Sequence, residues 1–164
     1  MKKANIQADP QEAVKAELKG SWVTYPTEST DSGRTVIVTV RTDIGEFRNN
    51  PRFKYRVIVT LPYEGGDPEI GLNADRTGMP DEKTSQLIED VTIALAATFR
   101  KDPVGVLTEM STGDGVREWN FYTLSLHIFQ RKFNEALASL PVLPFRFAAE
   151  EDGEWEAYFA PAEE

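Results

Sequence analysis

The sequence contains no cysteine. Disulfides, thiolate nucleophiles and cysteine-based metal sites are therefore excluded, and a reducing cytoplasm is the expected compartment. Histidine is nearly absent too, with His127 the only one. A metal ligand or general base needs partners at defined distances. None is evident around His127, which reads as a surface residue of a helix. No apolar run approaches the ~18 residues of a membrane span. The basic start, Met1-Lys2-Lys3, is not followed by an apolar stretch of signal-peptide length. Positive charge is in deficit: 18 Lys and Arg stand against 27 Asp and Glu, for a net charge of −9. Such a chain is repelled by nucleic acid and by anionic membranes, so neither is an expected partner.

Recognisable reaction chemistry is missing as well. Ser21, Ser85, Ser111, Ser125 and Ser139 lie in no nucleophile-elbow context. Gly65-Gly66-Asp67 and Gly113-Asp114-Gly115 read as turns, because no lysine and helix start follow in phosphate-loop register. Asp43, Glu46, Glu64, Asp67 and Glu69 lack the spacing of a calcium loop. No catalytic set, cofactor or metal is expected.

What is present describes a fold. The chain has 164 residues, 40% of them hydrophobic, with nine Phe. That supports one domain with a true core. Residues 1–20 read as a helical extension, since Asp9-Pro10-Gln11-Glu12 combines an N-cap, a first-turn proline and a capping-box acid. Residues 21–160 read as a single α+β domain and 161–164 as an acidic tail. Two strands, at Ser21–Thr27 and Arg34–Thr42, flank the turn cluster Thr30-Asp31-Ser32-Gly33 and form a hairpin. Asp43 to Pro51 reads as irregular.

Phe53 to Leu61 alternates, with Phe53, Tyr55, Val57, Val59 and Leu61 on one face. Residues 62–80 form a long Gly/Pro/Asp-rich connection, either a lid or a poorly ordered excursion. Asp81 caps a helix to Arg100, with Leu87, Ile88, Val91, Leu95 and Phe99 at helical spacing. Val104 to Ser111 reads as a strand with Val104, Val106, Thr108 and Met110 on one side. After the Gly113-Asp114-Gly115 turn, Val116 to Thr123 alternates again, placing Trp119 and Phe121 opposite Glu118, Asn120 and Tyr122. Leu126 to Leu140 is a second amphipathic helix ended by Pro141, and Phe145 to Ala149 is a last strand.

From Phe53 the order is strand, helix, strand, strand, helix, strand. This is the ferredoxin-like, split βαβ order, with an added N-terminal helix and hairpin. Both helices should cover one sheet face and bury Tyr55, Val57, Val59, Val106, Trp119, Phe121, Phe145 and Phe147. The edge taken by the hairpin is open. The opposite face should be polar and solvated, carrying Lys54, Arg56, Ile58, Glu109, Glu118, Asn120, Tyr122 and Arg146. That face is the candidate binding surface, with Tyr122 as an amphipathic anchor. Trp155 and Tyr158 lie three residues apart and either cover the open end of the core or dock a partner.

Several of these strings resemble a bacterial family, domain of unknown function 695. They are Trp22 and Tyr25, the Phe53-Lys54-Tyr55-Arg56-Val57 strand, and Gly78-Met79-Pro80 before the long helix. Most specific are Gly115-Val116-Arg117-Glu118-Trp119-Asn120-Phe121-Tyr122-Thr123 and Asp152-Gly153-Glu154-Trp155-Glu156-Ala157-Tyr158. The resemblance spans roughly Ser21 to Phe159 and implies an α+β sandwich with no established activity. The closing string also resembles the end of the ribonuclease-regulator B family, with an extra Glu154. That second likeness implies an acidic, non-catalytic inhibitor. The leading expectation is a non-catalytic binding or regulatory domain acting through protein contact. One alternative is a carboxylate-based enzyme or hydrolase, in which Glu109 or Glu118 converges with Arg56 or Arg117. The other is a homodimer joined by a sheet edge or the open face.

Overall fold

Alternating segments pair into a sheet, and the two segments of helical period cross it on one side. The computed structural model describes residues 22–158. The expected helix from Asp9 to Gly20, together with Phe159 and the acidic tail, lies outside the described residues. The elements are β1 (Trp22–Glu28), β2 (Thr35–Arg41), α1 (Gly45–Arg48), β3 (Tyr55–Pro62), α2 (Glu82–Lys101), β4 (Gly105–Gly113), β5 (Val116–Thr123), α3 (Leu126–Ala136) and β6 (Arg146–Glu151). The six strands form one antiparallel sheet in the order β1-β2-β4-β5-β3-β6. The hairpin β1–β2 therefore extends the sheet at the free edge of β4. No helix among the described residues is long and apolar enough to cross a membrane.

Both long helices start on side-chain caps. Asp81 accepts the Thr84 N–H at 2.8 Å, and Ser125 accepts the Ile128 N–H at 3.2 Å. Their apolar faces meet the sheet in one cluster. Ile88, Val91, Leu95 and Phe99 of α2, with Phe129 and Phe133 of α3, pack on Val57, Val59, Leu61, Leu107, Trp119 and Phe121. The rings of Phe99, Phe121 and Phe129 lie 4.9–5.3 Å apart, the spacing of attractive aromatic pairs. Trp119 is fully buried and donates its indole N–H to Thr92 Oγ1 at 2.9 Å.

Several expectations are corrected. A β-bulge lies between Leu107 and Glu109, so the extra residue, Thr108, reverses the alternation of β4. Val106 consequently joins Tyr122 on the other face, while Leu107 and Met110 face the helices. Phe53 precedes β3 and packs on that other face, away from Val57. Tyr55 and Phe145 are half-buried rather than core. Phe147 stays 43% exposed at the sheet edge, its ring 5.0 Å from Phe133. Residues 45–48 form a short helix inside the stretch read as irregular. Helix α3 stops at Ala136, before Pro141.

The connection from Pro62 to Pro80 is packed into the fold. Tyr63 and Leu72 are buried, and Tyr63 donates its hydroxyl to Gly78 O at 2.6 Å. Asp75 Oδ1 accepts from the backbone of Thr77 and Met79, and Thr84 Oγ1 donates to Gly71 O at 2.6 Å. At the nearby β4–β5 turn, Asp114 takes φ +54 and holds the Arg34 guanidinium, which also reaches Glu64. A Cβ on Gly113 would stand 2.5 Å from Thr35 O, so that turn needs glycine.

Candidate functional site: the second face of the sheet

The face away from the helices is built by cross-strand register. On β5, Glu118, Asn120 and Tyr122 point to it; on β3, Arg56, Ile58 and Thr60 do so. Arg56 stands opposite Tyr122, Ile58 opposite Asn120, and Thr60 opposite Glu118. On β4, Glu109 stands opposite Asn120 and Ser111 opposite Glu118. On β6, Arg146 stands opposite Thr60 and Glu150 opposite Arg56. On the hairpin, Tyr25 stands opposite Val38 and Val23 opposite Val40.

This face is not uniformly solvated, as its polar residues would suggest. Half of it carries a second core of Val38, Val40, Ile44, Phe53, Val106, Tyr122, Trp155 and Tyr158. The cover is supplied by α1 and by residues 152–158. Asp152 ties that segment down. Its N–H donates to Lys54 O at 2.7 Å, and its carboxylate accepts from Glu156 N, Ala157 N and the Tyr122 hydroxyl at 2.8–3.0 Å. Trp155 stacks on Tyr122 with centroids 3.9 Å apart and donates its indole N–H to Phe53 O at 2.7 Å. Tyr158 donates its hydroxyl to Arg41 O at 2.6 Å. Tyr122, Trp155 and Tyr158 are 1%, 1% and 6% exposed. Of the two roles open to Trp155 and Tyr158, the structure gives them the covering one, and Tyr122 is no surface anchor. The Asp152–Tyr158 string is a clip that closes one end of the sheet.

Burial and hydrogen bonding set the charges here in opposite directions. Burial pushes the Asp152 carboxyl up, but the Ala157 and Glu156 N–H groups and the Tyr122 hydroxyl outweigh it, and its pKa falls below the usual value. The Tyr122 hydroxyl is raised, chiefly by burial and then by Asp152.

The uncovered half holds the carboxylates. Glu109 and Glu118 are half-buried and diagonal neighbours across β4 and β5. Burial raises the pKa of both, Arg56 opposes the rise, and Glu118 adds to it at Glu109. Neither makes an ion pair or side-chain hydrogen bond among the described residues. Arg56 is already engaged, donating to Asn120 Oδ1 at 2.9 Å and to Glu150 Oε2 at 3.2 Å. Lys54 is half-buried and its ammonium lies 5.4 Å from the Tyr55 ring centroid, while Arg146 is exposed. Among the described residues, the bay around Arg56 thus sets one cation against Glu109, Glu118 and Glu150. Its distant shoulder, two strands from Glu109 and beyond the buried Val38 and Val40, is Tyr25 and Val23 of β1, 43% and 40% exposed.

Arg117 does not join the carboxylates. It projects to the helix side, donating to Thr112 Oγ1 at 2.6 Å and Thr92 Oγ1 at 3.2 Å over the Trp119 ring. Burial pushes its pKa down to about 10, and its buried Nε has no hydrogen-bond partner. Sequence reasoning missed Glu150, Asp152 and the Tyr25–Val23 shoulder as parts of this face. The cross-strand register finds Glu150, Tyr25 and Val23 once it is known; Asp152 follows from its bond to Lys54 O, just past the end of β6. Among the described residues no group of three or more His, Asp or Glu side chains is placed to hold a metal ion.

Comparison with curated proteins and with solved structures returns no match. The profile of a family of unknown function, DUF695, matches residues 21–160, and the chain belongs to that family.

Proposed function

We propose that the protein is a non-catalytic, cytoplasmic binding domain whose second sheet face receives a basic side chain of a protein partner. The observation that carries this reading is the pair Glu109 and Glu118. Both carboxylates are half-buried and neither has an ion-pair partner among the described residues. A Lys or Arg side chain laid across them would supply a positive charge beyond that of Arg56, which is already bonded to Asn120 and Glu150. The antiparallel order β4-β5-β3-β6, with α2 and α3 as crossovers, supports a ferredoxin-like reading of that portion.

The test uses two probes. The first is N-acetyl-arginine amide, titrated while backbone amide NMR shifts of residues 109–120 are followed. The second is capture of partners from the source cell by wild type and by the Glu109→Gln, Glu118→Gln double variant. Shifts confined to the bay, and a basic partner lost by the double variant and by high salt, are expected. Equal shifts or equal capture with the double variant would overturn the proposal.

A further inference from the structure

The outer edge of β6 is open among the described residues. All six residues of β6 are exposed, and among the described residues the strand pairs only with β3. It holds no proline, and its charges, Arg146, Glu150 and Glu151, are of both signs, so they repel a copy of the same strand in some registers and attract it in others. The opposite edge strand, β1, is blunted by Pro26.

The side chains along this edge are self-complementary. Arg146, Ala148 and Glu150 point to the second face, and Phe147 and Ala149 to the helix side. A two-fold axis perpendicular to the sheet keeps each face on its own side. With that axis through Ala148, antiparallel pairing sets Ala148 against its copy, Phe147 against Ala149, and Arg146 against Glu150, twice. Arg146 makes no ion pair among the described residues, and Glu150 uses only Oε2 toward Arg56. Moving the axis to Ala149 would set Phe147 against Glu151 and Arg146 against Asp152, whose carboxylate already accepts from Glu156 N, Ala157 N and the Tyr122 hydroxyl. The less engaged carboxylate of Glu150 therefore favours the Ala148 register. On the helix side the added strand also covers Phe147, which borders an open apolar groove of about 340 Å³ lined by Leu137, Val142 and Phe145. Val142 is 91% exposed there.

We infer that the occupant of this edge is a second copy of the chain, giving an isologous dimer with a continuous sheet. The two Glu109–Glu118 bays then face the same way. Their β5 strands lie five strand spacings apart, about 24 Å at ~4.8 Å per spacing. The dimer does not depend on what the bays bind.

Light scattering after size exclusion, over a concentration series of the wild type, is expected to show the dimer mass. Arg146→Glu alone leaves two carboxylates facing each other at each of the two charge pairs, and Glu150→Arg alone leaves two guanidinium groups there. Each is expected to raise the dimer Kd about tenfold or more. Mixed together, the two variants form complementary pairs at both positions, and the dimer mass should return. Circular dichroism checks that each variant is folded, and Phe147→Glu provides an independent block of the same edge. A wild type that stays monomeric at its solubility limit would overturn the inference. So would unchanged dimers in folded Arg146→Glu and Phe147→Glu, or a mixture that stays monomeric.

Discussion

Trp155 occupies a backbone conformation that favours glycine, with φ +56, and is held there by its side chain. A non-glycine residue in the left-handed region costs roughly 1–2 kcal/mol. Against that stand the stack on Tyr122 at 3.9 Å, the bond to Phe53 O at 2.7 Å and burial to 1% exposure. Trp155→Ala removes all three and keeps the strain. Large-to-small replacement of a buried Trp costs about 3–5 kcal/mol. At about 2–4 °C per kcal/mol for a chain of this length, Tm should fall by ~6–20 °C. Trp155→Gly removes the same contacts but releases the backbone. It should be about 1 kcal/mol more stable than Trp155→Ala, inverting the usual order of the two residues. Trp155→Phe keeps a stacked ring but strands the Phe53 carbonyl, for about 1–3 kcal/mol. Urea unfolding of the three variants measures each difference. An alanine variant within ~1 kcal/mol of wild type, or a glycine variant no better than alanine, would refute the claim that this clip closes a second core.

Thr92→Val keeps its shape but deprives the Trp119 indole and the Arg117 guanidinium of their shared acceptor, and should cost about 1–3 kcal/mol in urea unfolding. Glu118→Gln should raise Tm at neutral pH. The native pKa of Glu118 is raised, so its ionised form destabilises the fold above that pKa; the gain should vanish as pH falls below the unfolded value of ~4.3. Asp152 behaves oppositely. Its native pKa is lowered, so its contribution is present above the unfolded value and is lost as pH falls through the native one; Asp152→Asn should lower Tm at neutral pH and flatten the acid limb of a Tm–pH profile. Asp81→Ala removes the α2 cap and should cost about 1 kcal/mol by the same unfolding assay.

The helix side of the sheet is legible in the sequence because it is periodic. Trp119 and Phe121 keep period two against Val57 and Val59, and Ile88, Val91, Leu95 and Phe99 keep the helical period, so both partners in the contact announce themselves. Strand β4 misleads because Val104, Val106 and Met110 also fit period two. Only the pairing with β5 reveals that Thr108 is inserted and that Val106 and Met110 lie on opposite faces. The second core is hidden for a different reason. Its cover is irregular chain, residues 152–158 and a four-residue helix, with no period to read. Tyr122 looks like a surface residue in sequence because its neighbours Glu118 and Asn120 are polar. In the fold, Tyr122 and Asn120 are both buried, the first under Trp155 and the second bonded to Arg56. The loop from Pro62 to Pro80 carries strong turn signals, yet the buried positions of Tyr63 and Leu72 follow from tertiary contacts alone.

The two halves of the second face make different physical sense. Where α1 and the clip cover it, the aromatic polar groups are partnered: Tyr122 bonds Asp152, Trp155 bonds Phe53, and Tyr158 bonds Arg41. Where the cover stops, Glu109 and Glu118 lose part of their hydration and share the field of Arg56, whose guanidinium bonds go to Asn120 and Glu150 instead. Partial burial of an unpaired carboxylate is unfavourable, and apolar residues beside Val38 and Ile58 would build a more stable sheet. A role in folding therefore explains the clip but not the carboxylates. A ligand that brings its own positive charge reverses the sign: each carboxylate then gains a partner in a site that water only partly screens. The same logic fixes the pH dependence. Because both carboxylates take up protons at higher pH than exposed ones, cation binding should weaken earlier on acidification than it would on an open surface. A binding curve that follows the pH profile of ordinary exposed carboxylates would separate the bay from the function proposed for it.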